Sequence, residues 1–272
     1  MIRAISFNVN SIRQRIHQLE AVIDEHQPDF IGLQETKVTD EDFPIEAIRQ
    51  LGFHVEFTGQ KTHYGVALLS KHPFLSVQKG YDSDNDESQK RFISGRFKSP
   101  LGGEITVVNG YFPQGESQDH PMKFPNKKKY YEDLDSYLRK NHTPNDQLIV
   151  MGDMNVSPAD IDIGIGEDNR KRWLKAGKCS FLPLEREWLA TLYSWGLTDT
   201  YRLLHPENPD SFSWFDYRSR AFERDPKRGL RIDLILATKP LLPLVKSAGI
   251  DYNVRAMEKP SDHCPIWTYF EE

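Results

Sequence analysis

Short apolar runs that end in polar residues recur along the whole chain. In the most informative one, the four apolar residues of segment 148–151 precede Gly152, Asp153 and Asn155. This pattern predicts a buried strand that carries Asp153 and Asn155 to its end, with both side chains on the same side because an extended backbone alternates. An Asx turn that closes a strand explains the same residues equally well.

The hydrophobic pattern elsewhere predicts further strands and a few helices. The strands are expected over 2–9, 30–34, 53–58, 64–70, 91–97, 105–111, 211–217, 230–236 and 266–270. Helices are expected over 12–26, 43–51, 127–140 and 185–195, with Ser11 as the cap of the first and 197–202 as a short turn. Residues 82–90 are polar and acidic, which indicates an exposed loop.

This order of elements favours an α+β fold of two packed sheets covered by helices, because many strands form hairpin-like pairs with few helices between them. Acidic residues that follow strands occur in both halves of the chain, which is compatible with two similar halves facing one site. The chain of 272 residues shows no linker, so we expect a single domain over residues 1–272.

The distribution of charge is more informative than its sum. The formal net charge of -5 argues against a nucleic-acid partner. Basic residues nevertheless cluster in 123–129, 170–178 and 218–231, among them or beside them Phe124, Trp173, Trp214, Phe215 and Tyr217. Such runs are either solvated faces or a phosphate-binding surface, and the aromatic residues between them raise the weight of the second interpretation.

The sequence points to a cytoplasmic protein without a membrane segment. No apolar stretch approaches the roughly 18 residues that a membrane span needs. The first residues enter a strand-like pattern, unlike a secretory signal. Cys179 and Cys264 are too few for a disulfide framework and fit a reducing compartment.

Polar groups at five predicted strand ends form a candidate constellation. They are Asn8, Glu35, Asp153 with Asn155, Asp233, and Asp262 with His263. Asp233 stands out because apolar neighbours surround it, and a buried carboxylate is costly unless it is paired. His263 is its candidate partner. Each acid alone could be a loop or capping residue, but the set together favours a site.

The donor types in this set favour a hard metal ion. Oxygen ligands dominate, without the cysteine and histidine spacing of a zinc site or the acidic loop of a calcium site. Mg²⁺ or Mn²⁺ fits best. Hydrolysis of a phosphodiester also needs an activated water, stabilisation of the developing charge and help for the leaving oxygen, and the set holds candidates for each.

Seven short motifs and one longer stretch carry a family resemblance. The motifs lie at 32–37, 63–67, 109–116, 151–155, 212–217, 228–233 and 260–263, and the longer stretch runs from 162–166 to 186–188. On these residues the chain resembles the exonuclease III family, a branch of the exonuclease/endonuclease/phosphatase superfamily that acts on abasic sites in DNA. The short motifs identify the superfamily, and the longer stretch indicates the branch.

The resemblance implies a four-layer αββα sandwich and a metal-binding group. Glu35 would be the principal metal ligand. Asn8 would lie beside it and hold Asp153 or the metal-bound water, and Asp262 would complete the outer shell. Asp153 would align or deprotonate the attacking water.

The resemblance also assigns the groups that act on the phosphate. Asn155 would contact the phosphate. Asp233 would orient His263, which would donate to a non-bridging oxygen, and Tyr111 would contact the phosphate or help the leaving oxygen.

The same comparison assigns residues to the DNA. Gln114 would lie along the DNA strand, and Arg91 is assigned with it to substrate binding. Trp214, Phe215 and Leu230 would form an apolar slot for a sugar that lacks its base, since such a sugar loses little stacking on leaving the helix. Packing in the core is the alternative for these three residues.

The implied activity is that of a metal-dependent DNA-repair phosphodiesterase. It would cut duplex DNA 5′ to abasic sites and remove nucleotides, phosphates or other blocking groups from 3′ ends, as a monomer. Two alternatives remain open: the same fold acting on a non-DNA phosphoester, and a catalytically silent DNA-binding module. Segments 82–87 and 220–227 depart from the family pattern, which affects the expected substrate preference.

Overall fold

Twelve strands form two sheets in the computed structural model, which describes residues 1–271. The first sheet has the spatial order β11 (Val245–Ile250), β12 (Ile266–Phe270), β1 (Ile2–Asn8), β2 (Phe30–Gln34), β4 (Val66–Ser70) and β3 (His54–Thr58). The second has the order β5 (Ser76–Lys79), β6 (Phe92–Lys98), β7 (Glu104–Tyr111), β8 (Gln147–Asp153), β10 (Asp233–Thr238) and β9 (Leu197–Asp199).

The two sheets share one topology. In each, the central pair is parallel (β1 with β2, β7 with β8), and every other neighbouring pair is antiparallel. A parallel pair needs a crossover connection, which α1 (Ile16–His26) and α3 (Lys123–Asn141) supply. The structure thus agrees with the expectation of two similar halves that face one site.

The two sheets and the helices on either side of them form four layers, and a hydrophobic cluster fills each of the three spaces between the layers. One fills the space between the sheets, where Phe30 of β2 meets Phe97 of β6 at 4.9 Å between ring centroids. A second lies between the first sheet and α1, and a third between the second sheet and α3 with α5 (Pro183–Trp195). The remaining helices are α2 (Ile45–Gln50), α4 (Glu167–Lys175), α6 (Thr200–Leu204) and α7 (Tyr252–Arg255). The predicted αββα sandwich is confirmed.

One buried amide links the two sheets. Asn109 of β7 donates from Nδ2 to the carbonyl oxygens of Leu33 (2.9 Å) and Ala67 (2.8 Å) in the first sheet, and its Oδ1 accepts from Gln34. A Cβ at Gly32 would lie 2.8 Å from the Asn109 amide, so only glycine leaves room for it. Because an unmade buried hydrogen bond costs about 1–3 kcal/mol, this contact fixes the register of the sheets.

Three local predictions were wrong. Segment 211–217 is not a strand: Trp214 makes isolated bridges to Leu230 and His263, and its neighbours fold as a loop. Asp233 is the first residue of its strand rather than a middle one, because the backbone N–H groups of Ile232 and Asp233 donate to Ser213 Oγ. Ser11 makes no side-chain cap.

Several elements were not predicted from the pattern. Strand β5 and helix α4 have no buried residue and β11 has only two, so their apolar period is weak. Residues 197–202 form β9 and the start of α6 instead of a turn. Within residues 1–271, no helix is long and apolar enough to cross a membrane.

Candidate active site

A cavity of about 260 Å³ lies where the carboxyl ends of the parallel strands meet. Its wall is formed by Glu35, Tyr111, Gln114, Asp153, Asn155, Trp173, Lys178, Ser180, Trp214, Ile232, Asp262 and His263. Eight of the thirteen residues predicted for the site therefore lie on one surface, and both sheets contribute to it.

The sheet register brings the second-sheet residues together. Asp153 ends β8 and lies in register with Tyr111 of the parallel strand β7 and with Asp233 of the antiparallel strand β10. The three side chains thus follow one another along the sheet edge. A one-residue slip of either strand would disperse them.

Asn8 joins this edge to the first sheet. Its Nδ2 donates to Glu35 Oε1 at 2.8 Å and to Asp153 Oδ2 at 2.9 Å, and Asn8 itself has no exposed surface. One amide thereby holds a carboxylate from each sheet. The predicted proximity of Asn8 to both acids is present in the structure.

A buried carboxylate orients the histidine. Asp233 Oδ2 lies 2.9 Å from His263 Nδ1, and Nε2 on the other side of the ring lies 3.7 Å from Asp153 Oδ2. Burial alone would lower the pKa of His263, but the charges of Asp233 and Asp153 raise it above the usual histidine value. These charges favour the protonated imidazole, and the contact to Asp233 leaves Nε2 facing the cavity.

Negative charge accumulates around Asp153. Burial, together with the carboxylates of Asp233 and Glu35, raises the pKa of Asp153 above its usual range, although His263 acts in the opposite direction. Ligating atoms of Glu35, Asp153 and His263 lie within 4.8 Å of one another. Three carboxyl groups thus repel one another around a single imidazole, and a hard divalent cation would relieve this repulsion.

Asp262 lies on the same wall but has partners of its own. Its Oδ1 accepts from Asn10 Nδ2 at 2.9 Å and its Oδ2 from Trp214 Nε1 at 3.1 Å. Burial raises the pKa of Asp262, but His263 and these two donors outweigh burial, so that the pKa lies below the usual value.

The backbone is strained at the two strand ends. Glu35 has φ 52° and Asn155 φ 53°, in the left-handed region that non-glycine residues rarely adopt. The alternation expected from Asp153 to Asn155 therefore does not apply. A turn brings Asn155 to the cavity instead, with its Nδ2 donating to the carbonyl oxygen of Phe112 at 2.9 Å. Strain of this kind concentrates at functional sites.

Arg91 lies behind Tyr111 rather than on the wall. Its Nη1 donates to the Tyr111 carbonyl at 3.0 Å, and its guanidinium lies 4.5 Å from the centre of that ring and 4.3 Å from the ring of Tyr64. Burial and the Glu35 charge raise the pKa of Tyr111, which keeps its phenol protonated. The substrate-binding role of Arg91 stays a prediction.

Of the three residues expected to form an apolar slot, the structure places only Trp214 on the cavity wall. Phe215 is 0% exposed and packs against Phe222 at 5.1 Å between ring centroids. Leu230 is 1% exposed and packs with Phe181 in a second cluster. Both side chains fill the core behind Trp214 and do not reach the cavity in this structure.

Sequence reasoning gave no site role to Lys37 or Asn10, and it placed Lys178 and Trp173 only in a candidate phosphate-binding surface. Lys37 pairs with Glu35 Oε2 at 2.9 Å and donates to Asn10 Oδ1 at 2.6 Å. Lys178 lies 3.7 Å from the centre of the Trp173 ring on the opposite wall. The available signal was the basic run that contains Trp173, whereas nothing in the sequence marked Asn10.

A second cavity of about 400 Å³ adjoins the first and shares Trp173, Lys178 and Trp214 with it. Its other charged lining residues are Arg172, Asp216, Arg218, Arg224 and Arg228. Four arginines and one lysine thus face a single acid, in a protein of net negative charge.

A family profile described as "Endonuclease/Exonuclease/phosphatase family" matches residues 5–263, which is most of the chain. The chain belongs to the endonuclease/exonuclease/phosphatase family. Its membership confirms the resemblance that the short motifs carry.

Individual members of the endonuclease/exonuclease/phosphatase family match over the full length. The chain is 54% identical over 270 residues to exodeoxyribonuclease III of Haemophilus influenzae, covering 99% of this chain and 100% of that protein. A 3′ phosphatase from Neisseria, solved with a product DNA hairpin, has a TM-score of 0.90 and 33% identity. An AP endonuclease from Archaeoglobus fulgidus has a TM-score of 0.89 and 34% identity. Both structures cover 100% of this chain and are themselves covered completely.

Proposed function

We propose that the protein is a metal-dependent DNA-repair phosphodiesterase. It hydrolyses duplex DNA 5′ to abasic sites and removes nucleotides, phosphates and other blocking groups from 3′ ends. The observation that carries this proposal is the continuous hydrogen-bonded arrangement of Glu35, Asn8 and Asp153, facing the oriented pair Asp233–His263 across one cavity.

The relatives support the choice of reaction and substrate. They include an exodeoxyribonuclease III, a 3′ phosphatase bound to a DNA hairpin and an AP endonuclease. All three names describe hydrolysis of phosphate esters in nucleic acid. The 54% identity over the whole chain favours the exonuclease III branch.

The chain's own residues divide the chemistry between them. His263 donates from Nε2 to a non-bridging phosphate oxygen, because Asp233 holds the opposite ring nitrogen. Asp153 aligns the attacking water or takes its proton, and Asn8 fixes one oxygen of that carboxylate. The amide of Asn155 and the phenol of Tyr111 lie on the same wall, where they contact the phosphate and the leaving oxygen.

The donor set fits a magnesium or manganese ion. Glu35 would hold it, with Asn8 fixing one oxygen of that carboxylate and Asp262 in the outer shell. The ligating atoms of Glu35, Asp153 and His263 lie within 4.8 Å of one another. Lys37 neutralises part of the Glu35 charge. When bound, the ion neutralises charge on the phosphate and lowers the pKa of an attacking water.

The arginine-lined cavity supports a polyanionic substrate. It adjoins the first cavity at Trp214, Trp173 and Lys178 and gathers four arginines, more cationic groups than a single phosphate needs. A nucleic-acid strand rewards such a surface at each phosphate. Gln114, which is exposed and lines the first cavity, would lie along the same strand. No comparable observation favours a small phosphoester.

Cleavage of two matched duplexes tests the proposal. One carries a single abasic analogue, the other is undamaged, and each is incubated with Mg²⁺ or with a chelator. We expect Mg²⁺-dependent incision 5′ to the abasic analogue, leaving a 3′ hydroxyl, and slower shortening from 3′ ends. Inactivity on both duplexes under all conditions would reject the DNA substrate.

A further inference from the structure

A fully buried ion pair lies behind the wall of the candidate active site. Lys127 of α3 and Glu185 of α5 form a salt bridge in which neither side chain has any exposed surface. Neither residue lines the cavity. The pair can therefore influence a bound substrate only through the residues that it contacts.

The ammonium of Lys127 holds two segments that line the cavity. Its Nζ donates to the carbonyl oxygen of Asn155 at 2.7 Å and to that of Gln114 at 3.2 Å, and the third donor meets the Glu185 carboxylate. A lysine ammonium has three donors, and all three are used here.

The carboxylate of Glu185 holds a third segment. Its Oε2 accepts from the backbone N–H groups of Ser180 at 2.9 Å and Leu182 at 2.8 Å. Ser180 lies on the cavity wall with Lys178. One buried pair thus joins the segments that follow β7 and β8 to the segment that precedes α5.

The contact to Asn155 bears on the orientation of a proposed catalytic amide. Asn155 adopts φ 53°, and its carbonyl points to Lys127 while its side-chain amide points to the carbonyl of Phe112. One turn further along α3, the hydroxyl of Tyr131 donates to the carbonyl of Met154 at 2.8 Å. Helix α3 therefore fixes both carbonyls of the strained turn.

Stability alone does not account for this arrangement. Removing two charges from water is costly, and well-packed apolar residues at such a position are often at least as stabilising. A charged pair offers directed contacts to three separate backbone segments, which apolar side chains cannot make.

We propose that the Lys127–Glu185 pair is a positioning element that sets Asn155 against the phosphodiester, so that it controls the rate of hydrolysis much more than the affinity for DNA, to which it contributes only through the Gln114 backbone. This inference rests on the proposed function. Misplacement of a group by about one ångström can cost on the order of 100-fold in rate.

Two variants test the inference. Glu185→Gln keeps the shape but leaves one acceptor oxygen for either the Lys127 ammonium or the two backbone N–H groups, so an NH2 group faces the other. Lys127→Met combined with Glu185→Leu replaces the pair by apolar side chains. The single-turnover rate on the abasic duplex with Mg²⁺ and the Kd for the same duplex in chelator are measured below each melting temperature. We expect a rate lower by about 10- to 100-fold and a Kd within about threefold of wild type.

Asp251→Asn is the matched control. It breaks a buried contact of 3.0 Å to His26 outside the cavity, so it reports what a general loss of stability does to the rate. A rate equal to wild type in a folded pair variant, or a rate loss no larger than that of Asp251→Asn, overturns the inference. If neither pair variant folds, the pair is a folding requirement and the inference is equally overturned. A wild-type protein that does not cleave the duplex rejects the proposed function instead.

Discussion

Asp233 Oδ2 lies 2.9 Å from His263 Nδ1, and this contact decides which ring nitrogen faces the cavity. Asp233 is 1% exposed, so its charge acts on the imidazole with little screening by water. The neighbouring Asp153 is 3.7 Å from the other ring nitrogen. Two carboxyl groups therefore flank the ring, and the contact to Asp233 fixes its orientation.

Replacing Asp233 with asparagine should lower the rate of DNA cleavage by about 10- to 100-fold, because a neutral amide neither stabilises the imidazolium nor fixes its orientation. Single-turnover kinetics measures the rate, and duplex binding in chelator should be retained. Asp135→Asn, on the surface of α3 beside Arg139, is the control and should leave the rate unchanged. A wild-type rate in Asp233→Asn would show that His263 needs no orienting partner.

Replacing Glu35 with glutamine should shift the midpoint of the Mg²⁺ titration of activity to a concentration higher by about tenfold or more. Glutamine keeps the contact to Asn8 but lacks the charge that attracts the ion. Glu46→Gln removes a charge from an exposed pair with Arg49 and serves as control. An unchanged midpoint and rate would remove Glu35 from the metal site.

Replacing Arg228 with alanine should weaken duplex binding and reduce the slope of log Kd against log salt concentration by about one, which corresponds to one phosphate contact. Binding is measured in chelator over a series of KCl concentrations. Arg96→Ala, on β6 near Glu104 and away from both cavities, should leave the slope unchanged. Equal slopes for wild type and Arg228→Ala would argue that the arginine-lined cavity does not bind the strand.

Replacing Gly152 with alanine should destabilise the protein by about 3 kcal/mol. Gly152 has φ 153°, and a Cβ there would lie 1.9 Å from the carbonyl oxygen of Gly110 on the paired strand. Gly102→Ala is the control for backbone strain without a steric clash, since φ is 90° but nothing lies within 4 Å of the added Cβ. That control should cost about 1 kcal/mol. Urea denaturation compares the two, and equal losses would contradict the steric argument.

Acid should remove the stabilising contribution of Asp251. Burial raises its pKa, but hydrogen bonds from His26 and from the backbone N–H of Val254 outweigh burial, so that the pKa of Asp251 lies below the usual value. A lowered pKa in the folded state stabilises the protein above the unfolded value of about 3.9, and the contribution disappears as pH falls through the folded value. The free energy of unfolding of wild type minus that of Asp251→Asn should therefore be constant from pH 7 to about 5 and shrink below 4. If this free-energy difference grew on acidification, the pKa of Asp251 would be raised in the folded protein and not lowered.

The sequence predicted the layers and most of the site because both depend on local patterns. Strands buried on both faces leave apolar runs, and the polar residues that end them mark the sheet edge, as at Asn8 and Asp153. The pattern of acids also led to the pairing of Asp233 with His263, since a carboxylate among apolar residues requires a partner.

Other features depend on tertiary contacts that leave no periodic signal. Trp214 looked like part of a strand, but its neighbours are fixed by single contacts to distant segments. The burial of Phe215 depends on Phe222, seven residues further along the chain, and apolar identity alone does not distinguish a core residue from a wall residue. No sequence pattern identifies Asn10, because its place in the site depends on hydrogen bonds to the distant residues Lys37 and Asp262.

The hydrogen bonds of Asn8 join two sheets that share a topology but contribute different residues to the site. Both sheets have the same strand arrangement, yet Glu35 comes from one, while Asp153 and Asp233 come from the other. Neither sheet alone carries the whole set of proposed catalytic residues, so we expect each sheet to be inert in isolation. We therefore expect hydrolysis only while the two sheets are docked through Asn8.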